Sequence, residues 1–313
     1  MSKLIGASAP GKMMISGEYA VLEGAVAIVA AVDVRVHARW VDDPIESLPP
    51  EARETRKLAE LELGALQGTL AIDARDLRKA GLKLGLGSSA AASAAVAGAI
   101  LESHGYDLTD PAVQQRALRL ALAGHKAIAP EGSGADVAAA SLGGFVRFRL
   151  ANGKLAEAER VPFPEAIETR VVWTGKEART SEFVRAVRKY EAAKPQAFAL
   201  LRDGLCSQAE RFAAAIARAD VREVIQAAAD YGRDMAKLGE AAEVDIVTAE
   251  LRQIADLALQ NAGGAKPSGA GGGDVAIAFF PSPKSAQAFD AACDGAGLDR
   301  LALRLGAVGV TRE

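Results

Sequence analysis

Three glycine-rich stretches carry residue types suited to holding anionic phosphate groups. The densest, "KPSGAGGGDVAIAFF" from Lys266 to Phe280, places four glycines between Gly269 and Gly273, just ahead of an apolar strand. Each glycine gives up more backbone freedom on ordering than any other residue, so such a run points to a backbone that must stay clear of side chains. A second stretch, "KLGLGSSAAASAAVAG" from Lys83 to Gly98, passes through Gly85, Leu86, Gly87, Ser88, Ser89 and Ala90 straight into an alanine-rich helix. The first N–H groups of a helix lack partners within it and lie at the positive end of its dipole. They therefore attract anions, and glycine lets a polyphosphate come close. Ser88 and Ser89 add hydroxyls that reach a phosphate or its metal. The third stretch, "EGSGADVAAA", sets Ser133 between glycines and puts Asp136 at the opening of another helix.

Each loop has a plainer reading. "GLGSSA" fits the G-x-G-x-x-A dinucleotide fingerprint, but it follows "ARDLRKAGLK", a poor buried strand. The nucleotide P-loop requires Ser or Thr after Gly-Lys, and Gly11-Lys12 and Gly175-Lys176 both fail that test. Any one glycine could simply close a turn. Three such loops in one chain, two of them feeding helices, tilt the reading toward phosphate.

The elements that must position these loops read as α+β. The first forty residues alternate strand-like runs with a glycine turn, ending in the Val- and Ile-rich "AVAIVAAVDVRVHARW". Residues 41–57 lose apolar periodicity and carry three prolines, which predicts a connecting loop before an amphipathic helical piece through Leu66. Helices are expected over Ser88–His104 and from Pro111, with Asp110 as N-cap and Pro111 at the first helical position. Near Pro162 and Pro164 the texture changes, which divides the chain into residues 1–165 and 166–313. The second part is expected to hold the strand "TRVVWT", helices between Ser181 and Asn261, the glycine loop, and the strand "DVAIAFF". A helix from Lys284 and a last strand around Leu301–Val310 complete it.

Bulk composition sets the limits. The 313 residues are half hydrophobic and a quarter charged, with a net charge of -3 and no basic surplus for nucleic acid or an anionic membrane. Cys206 and Cys293 are far apart, giving neither a disulfide framework nor zinc spacing. The opening residues lack a signal peptide's apolar run, and "AAASAAVAGAIL" falls short of the roughly 20 residues of a membrane span. A reducing cytoplasm is the expected setting.

The segments "APGKMMISGEYAVLEG", "GLGSSAA" and "KPSGAGGGD" resemble, in order and spacing, the three motifs of the kinase superfamily named after galactokinase, homoserine kinase, mevalonate kinase and phosphomevalonate kinase. Within it the resemblance is nearest to the phosphomevalonate kinases: Tyr19 rather than His follows Glu18, "WTGKEARTSEFV" begins at Trp173, and Asp274 closes the third motif. The resemblance implies two domains. One is an N-terminal mixed β/α domain, like domain 2 of ribosomal protein S5, and the other is a ferredoxin-like C-terminal domain. It also implies a magnesium-dependent reaction of ATP with 5-phosphomevalonate, giving ADP and 5-diphosphomevalonate. Mevalonate or homoserine as acceptor, or a non-catalytic ligand sensor on the same fold, are the alternatives.

The resemblance also assigns roles. Lys12 would reach the acceptor oxygen and the transferring phosphate, Lys83 the donor phosphates, and Asp136 would orient Lys12 and the acceptor. An acceptor phosphate is already ionised near neutral pH, so a base is hardly needed. Residues 85–90 would bind ATP, with Ser89 as the magnesium or phosphate ligand. Ser133, Lys266, Ser268, Gly269, Gly271, Gly272 and Asp274 would take the acceptor and its phosphate, with Arg179 a weaker candidate, while Glu18 and Tyr19 hold the mevalonyl end or shape the turn. His125, where mevalonate kinases carry a glutamate, is read as a packed or surface histidine and not as a metal ligand.

Overall fold

The computed structural model describes residues 6–42, 48–178 and 180–313. In its first half β1 (Ala7–Ser16) and a 3-10 turn at Ala20–Glu23 precede β2 (Ala27–Val41), α1 (Pro50–Leu63), β3 (Thr69–Asp73) and the hairpin strands β4 (Arg78–Lys79) and β5 (Leu82–Lys83). Three helices follow, α2 (Ser88–Ser103), α3 (Pro111–Ile128) and α4 (Ala135–Leu142), and then β6 (Phe145–Ala151) and β7 (Lys154–Val161). The second half runs β8 (Glu168–Trp173), α5 (Thr180–Ala193), α6 (Pro195–Ala217), α7 (Val221–Ala241), α8 (Ala249–Gln260), β9 (Gly264–Pro267) and β10 (Val275–Phe280). It ends with α9 (Pro283–Gly295), β11 (Asp299–Leu301) and β12 (Thr311–Arg312).

Two sheets organise these elements. The first has the order β12-β1-β2-β6-β7, with β3 also paired to β2. The second is antiparallel in the order β11-β8-β10-β9. Taken in chain order its strands lie fourth, first, third, second, which is the βαββαβ arrangement of ferredoxin-like folds, here with α5–α8 filling the first crossover. The α+β class and ferredoxin-like second half expected above are therefore present.

β10 explains why the two halves pack as one body. All six of its residues are buried: Val275, Ile277 and Phe279 join the core that contains β1 and α2, while Ala276, Ala278 and Phe280 join the core under α7–α9. That is the two-residue alternation of a strand covered on both faces. α2 lies against β1, β2 and helices α1, α3 and α4. Its long run of buried alanines lets these neighbours come close, as a bulkier helix could not.

Two expectations need correction. The stretch 41–57 is not all loop, because α1 starts at Pro50, where proline's fixed φ suits the first helical turn. The single last strand over 301–310 is replaced by short separate pieces. β11 ends at Leu301, Leu305 and Val308 make isolated bridges to Val32 and Gly143, and β12 pairs with β1. Gly306 and Gly309 interrupt that stretch, and the chain's end returns to the first sheet. Among the described residues no helix is long and apolar enough to cross a membrane.

Candidate active site

β1 is buried along its whole length except at Lys12, which is half-buried. The register of β1 on β2 shifts between Pro10 and Gly11, immediately before this lysine, and such bulges re-aim side chains next to sites. A Cβ on Gly11 would stand 2.9 Å from the Leu86 carbonyl, so glycine lets the loop ahead of α2 lie directly on β1. The Lys12 N–H donates to that carbonyl at 2.8 Å, and Lys12 Nζ donates to the Gly85 carbonyl at 3.3 Å.

α2 opens at Gly87, a left-handed residue (φ 74°) with no side chain to close the first-turn amides. A Cβ there would meet Lys12 Cγ at 2.8 Å, so the lysine stem lies over the mouth of the helix. Positive helix end, lysine and the Ser88 and Ser89 hydroxyls thus converge, which is the arrangement that draws a phosphate. α4 opens in a similar way at Gly134 (φ 85°), with Asp136 in its first turn. Asp136 accepts the Val137 N–H at 2.9 Å, and the Ser133 hydroxyl accepts the Ala135 N–H at 3.2 Å.

These groups border one cavity of about 450 Å³, within the size range of ligand sites. It brings together Lys12, Lys83, Asp136, Gly85, Leu86, Gly87, Ser88, Ser89, Glu18, Tyr19, Ser133, Gly269 and Asp274. Ala90, Lys266, Ser268, Gly271 and Gly272 lie outside its lining. Ala90 faces the core. Arg179 lies outside the described residues.

The reasons for these departures are physical. Lys266 is fully buried in an ion pair with Glu18, donates to its neighbour Pro267's carbonyl at 2.7 Å, and sits 5.6 Å from the centre of the Tyr231 ring. Burial pushes its ammonium pKa down, opposed by the Glu18 carboxylate. It holds Glu18 and lies outside the cavity lining. Glu18 also accepts the Gly269 N–H at 3.3 Å, its second oxygen is buried without a partner, and it lines the cavity. Tyr231 donates to the Glu18 carbonyl at 2.8 Å and Tyr19 donates to the Ala270 carbonyl at 2.6 Å, so the first and third motifs are tied together. A Cβ on Gly272 would overlap the Phe183 ring, and one on Gly271 the Ile246 carbonyl. These two glycines admit protein.

The cavity also contains residues the sequence reading missed or set aside. Glu51 comes from the first turn of α1 and had no local signal, whereas Glu131 stands two residues before Ser133 in the third stretch and could have been included on that ground. His125 is buried on α3, borders the cavity, and has a buried Nδ1 without a partner. With Glu18, Asp136, Glu177 and Asp274, the carboxylates outnumber the two lysines of the described lining. No group of three or more His, Cys, Asp or Glu side chains forms a metal cage among the described residues.

The sequence pattern described as the GHMP kinases N terminal domain matches residues 69–144, and that of the GHMP kinases C terminal matches 212–295; together they cover just over half of the chain. A phosphomevalonate kinase of Streptomyces sp. (strain CL190) is 26% identical over 344 residues, covering 88% of this chain and 90% of that protein. A mevalonate kinase of Pyrococcus horikoshii is 26% identical over 323 residues, covering 90% of each. Among solved structures, Streptococcus pneumoniae phosphomevalonate kinase in complex with phosphomevalonate and AMPPNP aligns with a TM-score of 0.81 at 20% identity, covering 95% of this chain and 98% of that one.

Proposed function

The chain belongs to the GHMP kinase family, and on that premise we propose that it transfers the γ-phosphoryl group of ATP to 5-phosphomevalonate, giving 5-diphosphomevalonate and ADP. One observation carries the reading: Lys12 lies across the uncapped end of α2, with Asp136 and the serine hydroxyls in the same cavity. Phosphoryl transfer asks for positioning and local positive charge more than covalent help. Lys12 meets the transferring group, the amides and hydroxyls at the start of α2 hold the donor phosphates, Lys83 adds charge from the rim, and Asp136 orients the acceptor. Residues 1–165 supply the donor side and 166–313 the loop that closes on it.

Magnesium fits this donor set. The ion keeps water and phosphate oxygens and usually takes only one or two protein oxygens, so a protein cage is not required. Ser89 would supply such an oxygen, and the ion would neutralise phosphate charge in a cavity rich in carboxylates.

That same surplus of carboxylates favours a second reading, in which the acceptor is mevalonate and carries no phosphate of its own. The test is ADP release from purified protein with magnesium and ATP, run in parallel with 5-phosphomevalonate, mevalonate, homoserine and galactose. Selective turnover of 5-phosphomevalonate is the expected result. Preference for mevalonate would establish the second reading, and silence with all four would point to the ligand-sensor alternative or to an acceptor outside the four.

A further inference from the structure

Asp274 stands where the donor loop at 85–87, the third-motif loop at 269–273 and the segment after β8 meet. A Cβ on Gly85 would overlap the Asp274 carboxylate, so the donor loop's first glycine is the space that this side chain occupies. Asp274 Oδ1 accepts the Ala178 N–H at 3.0 Å. Its backbone carbonyl accepts both the Thr174 N–H at 2.9 Å and the Thr174 hydroxyl at 3.0 Å, and its own N–H donates to the Lys176 carbonyl at 2.8 Å. It does this at φ 51°, a left-handed conformation uncommon outside glycine, asparagine and aspartate. Such an outlier persists only where the surroundings over-determine it.

We propose that Asp274 is a positioning residue that latches the donor-phosphate loop at Gly85 to the cavity rim at Thr174–Ala178, so that nucleotide affinity depends on a contact with the opposite sheet. This rests on reading the cavity as a nucleotide site. The expectation that Asp274 takes the acceptor gives way to a role exercised through Gly85 and Ala178. Burial pushes its carboxyl pKa up, with Glu177 adding to the effect, while the Ala178 N–H, Lys12 and Lys83 act against it. These are the charges that surround a carboxylate wedged between the loops.

The test is a double-mutant cycle read by calorimetric binding of a non-hydrolysable ATP analogue with magnesium. Asp274→Gly removes the carboxylate without backbone strain, because glycine accepts φ 51°. It should weaken binding about tenfold, the size of one lost hydrogen bond to a charged group. Asp274→Asn keeps an oxygen for the Ala178 N–H and should recover most of that loss, which mere loss of bulk would not predict. Gly85→Ala pushes a methyl against the carboxylate and should weaken binding as well. Combining Gly85→Ala with Asp274→Gly relieves the clash but not the strain of alanine at the left-handed φ of 74°, so its fold-loss should be smaller than the product of the two single losses. Fold-losses that multiply would overturn the latch, and so would Asp274→Gly binding like the parent. Absence of nucleotide binding by the parent would remove the nucleotide-site reading and the latch with it. Unfolding midpoints of each variant separate binding loss from misfolding.

Discussion

Of the three glycine stretches that border the cavity, the donor loop at 85–87 and the loop of the third motif at 269–273 share a composition and differ in what stands beside their glycines. In the donor loop, Gly87 makes room for the Lys12 stem and Gly85 for Asp274, both side chains of the cavity, and the loop ends on an uncapped helix. In the third loop, Gly271 gives way to the Ile246 carbonyl, Gly272 to the Phe183 ring and Gly273 to the Lys176 carbonyl, the last at 3.0 Å from an added Cβ. Glycine density therefore reports close approach without saying what approaches. The chemistry is carried by the neighbours, so the two loops should fail in different ways when changed.

The largest effect is expected at Lys12. Lys12→Met keeps the stem that covers Gly87 and removes the ammonium, so turnover with the preferred acceptor should fall by a factor on the order of 10² to 10³, as when one transition-state donor is lost. The thermal midpoint should stay near the parent's. Turnover within a few-fold of the parent would show that the donor loop, too, uses its glycines only for packing.

Next comes Gly272→Ala, which drives a methyl into Phe183 on α5. The acceptor contact that the resemblance implies for Gly272 changes with that neighbour, because the space beside it holds the Phe183 ring. The variant should lose about 1–3 kcal/mol of stability through overpacking, to which the left-handed φ of 77° adds a further penalty for alanine, measured by denaturant titration. Adding Phe183→Leu should restore part of the loss, while nucleotide affinity of the folded protein stays close to the parent's. An unchanged stability with a raised KM for the acceptor would reverse the contrast between the loops.

What was legible in the sequence follows the same line. The Asp110 cap was readable because its partner, the Ala112 N–H at 2.8 Å, lies two residues away. The helix after Gly87 was likewise readable from local chemistry, the glycine–serine entry and the alanine run. Lys266 was misplaced because its partner Glu18 lies 248 positions away, and nothing local distinguishes a lysine consumed by a buried carboxylate from one facing a phosphate. Glu51 escaped for the same reason, being delivered by the packing of α1 against α2 and α3. Cavity membership is a property of such distant pairings, whereas motif order is a property of the chain.

Gly269 is the exception that sharpens the comparison from inside the third loop. An added Cβ there meets nothing within 4 Å, and the residue lines the cavity. Gly269→Ala should therefore act in two modest and separable ways. Its φ of 96° is unfavourable for alanine, so stability should fall by about 1–2 kcal/mol whatever the space available. The methyl should also enter the part of the cavity beside Glu18, whose carboxylate accepts the Gly269 N–H, and raise the KM for the acceptor more than that for ATP. If ATP suffers instead, the third loop serves the donor, and the division of labour between the two loops is the reverse of the one argued from their neighbours.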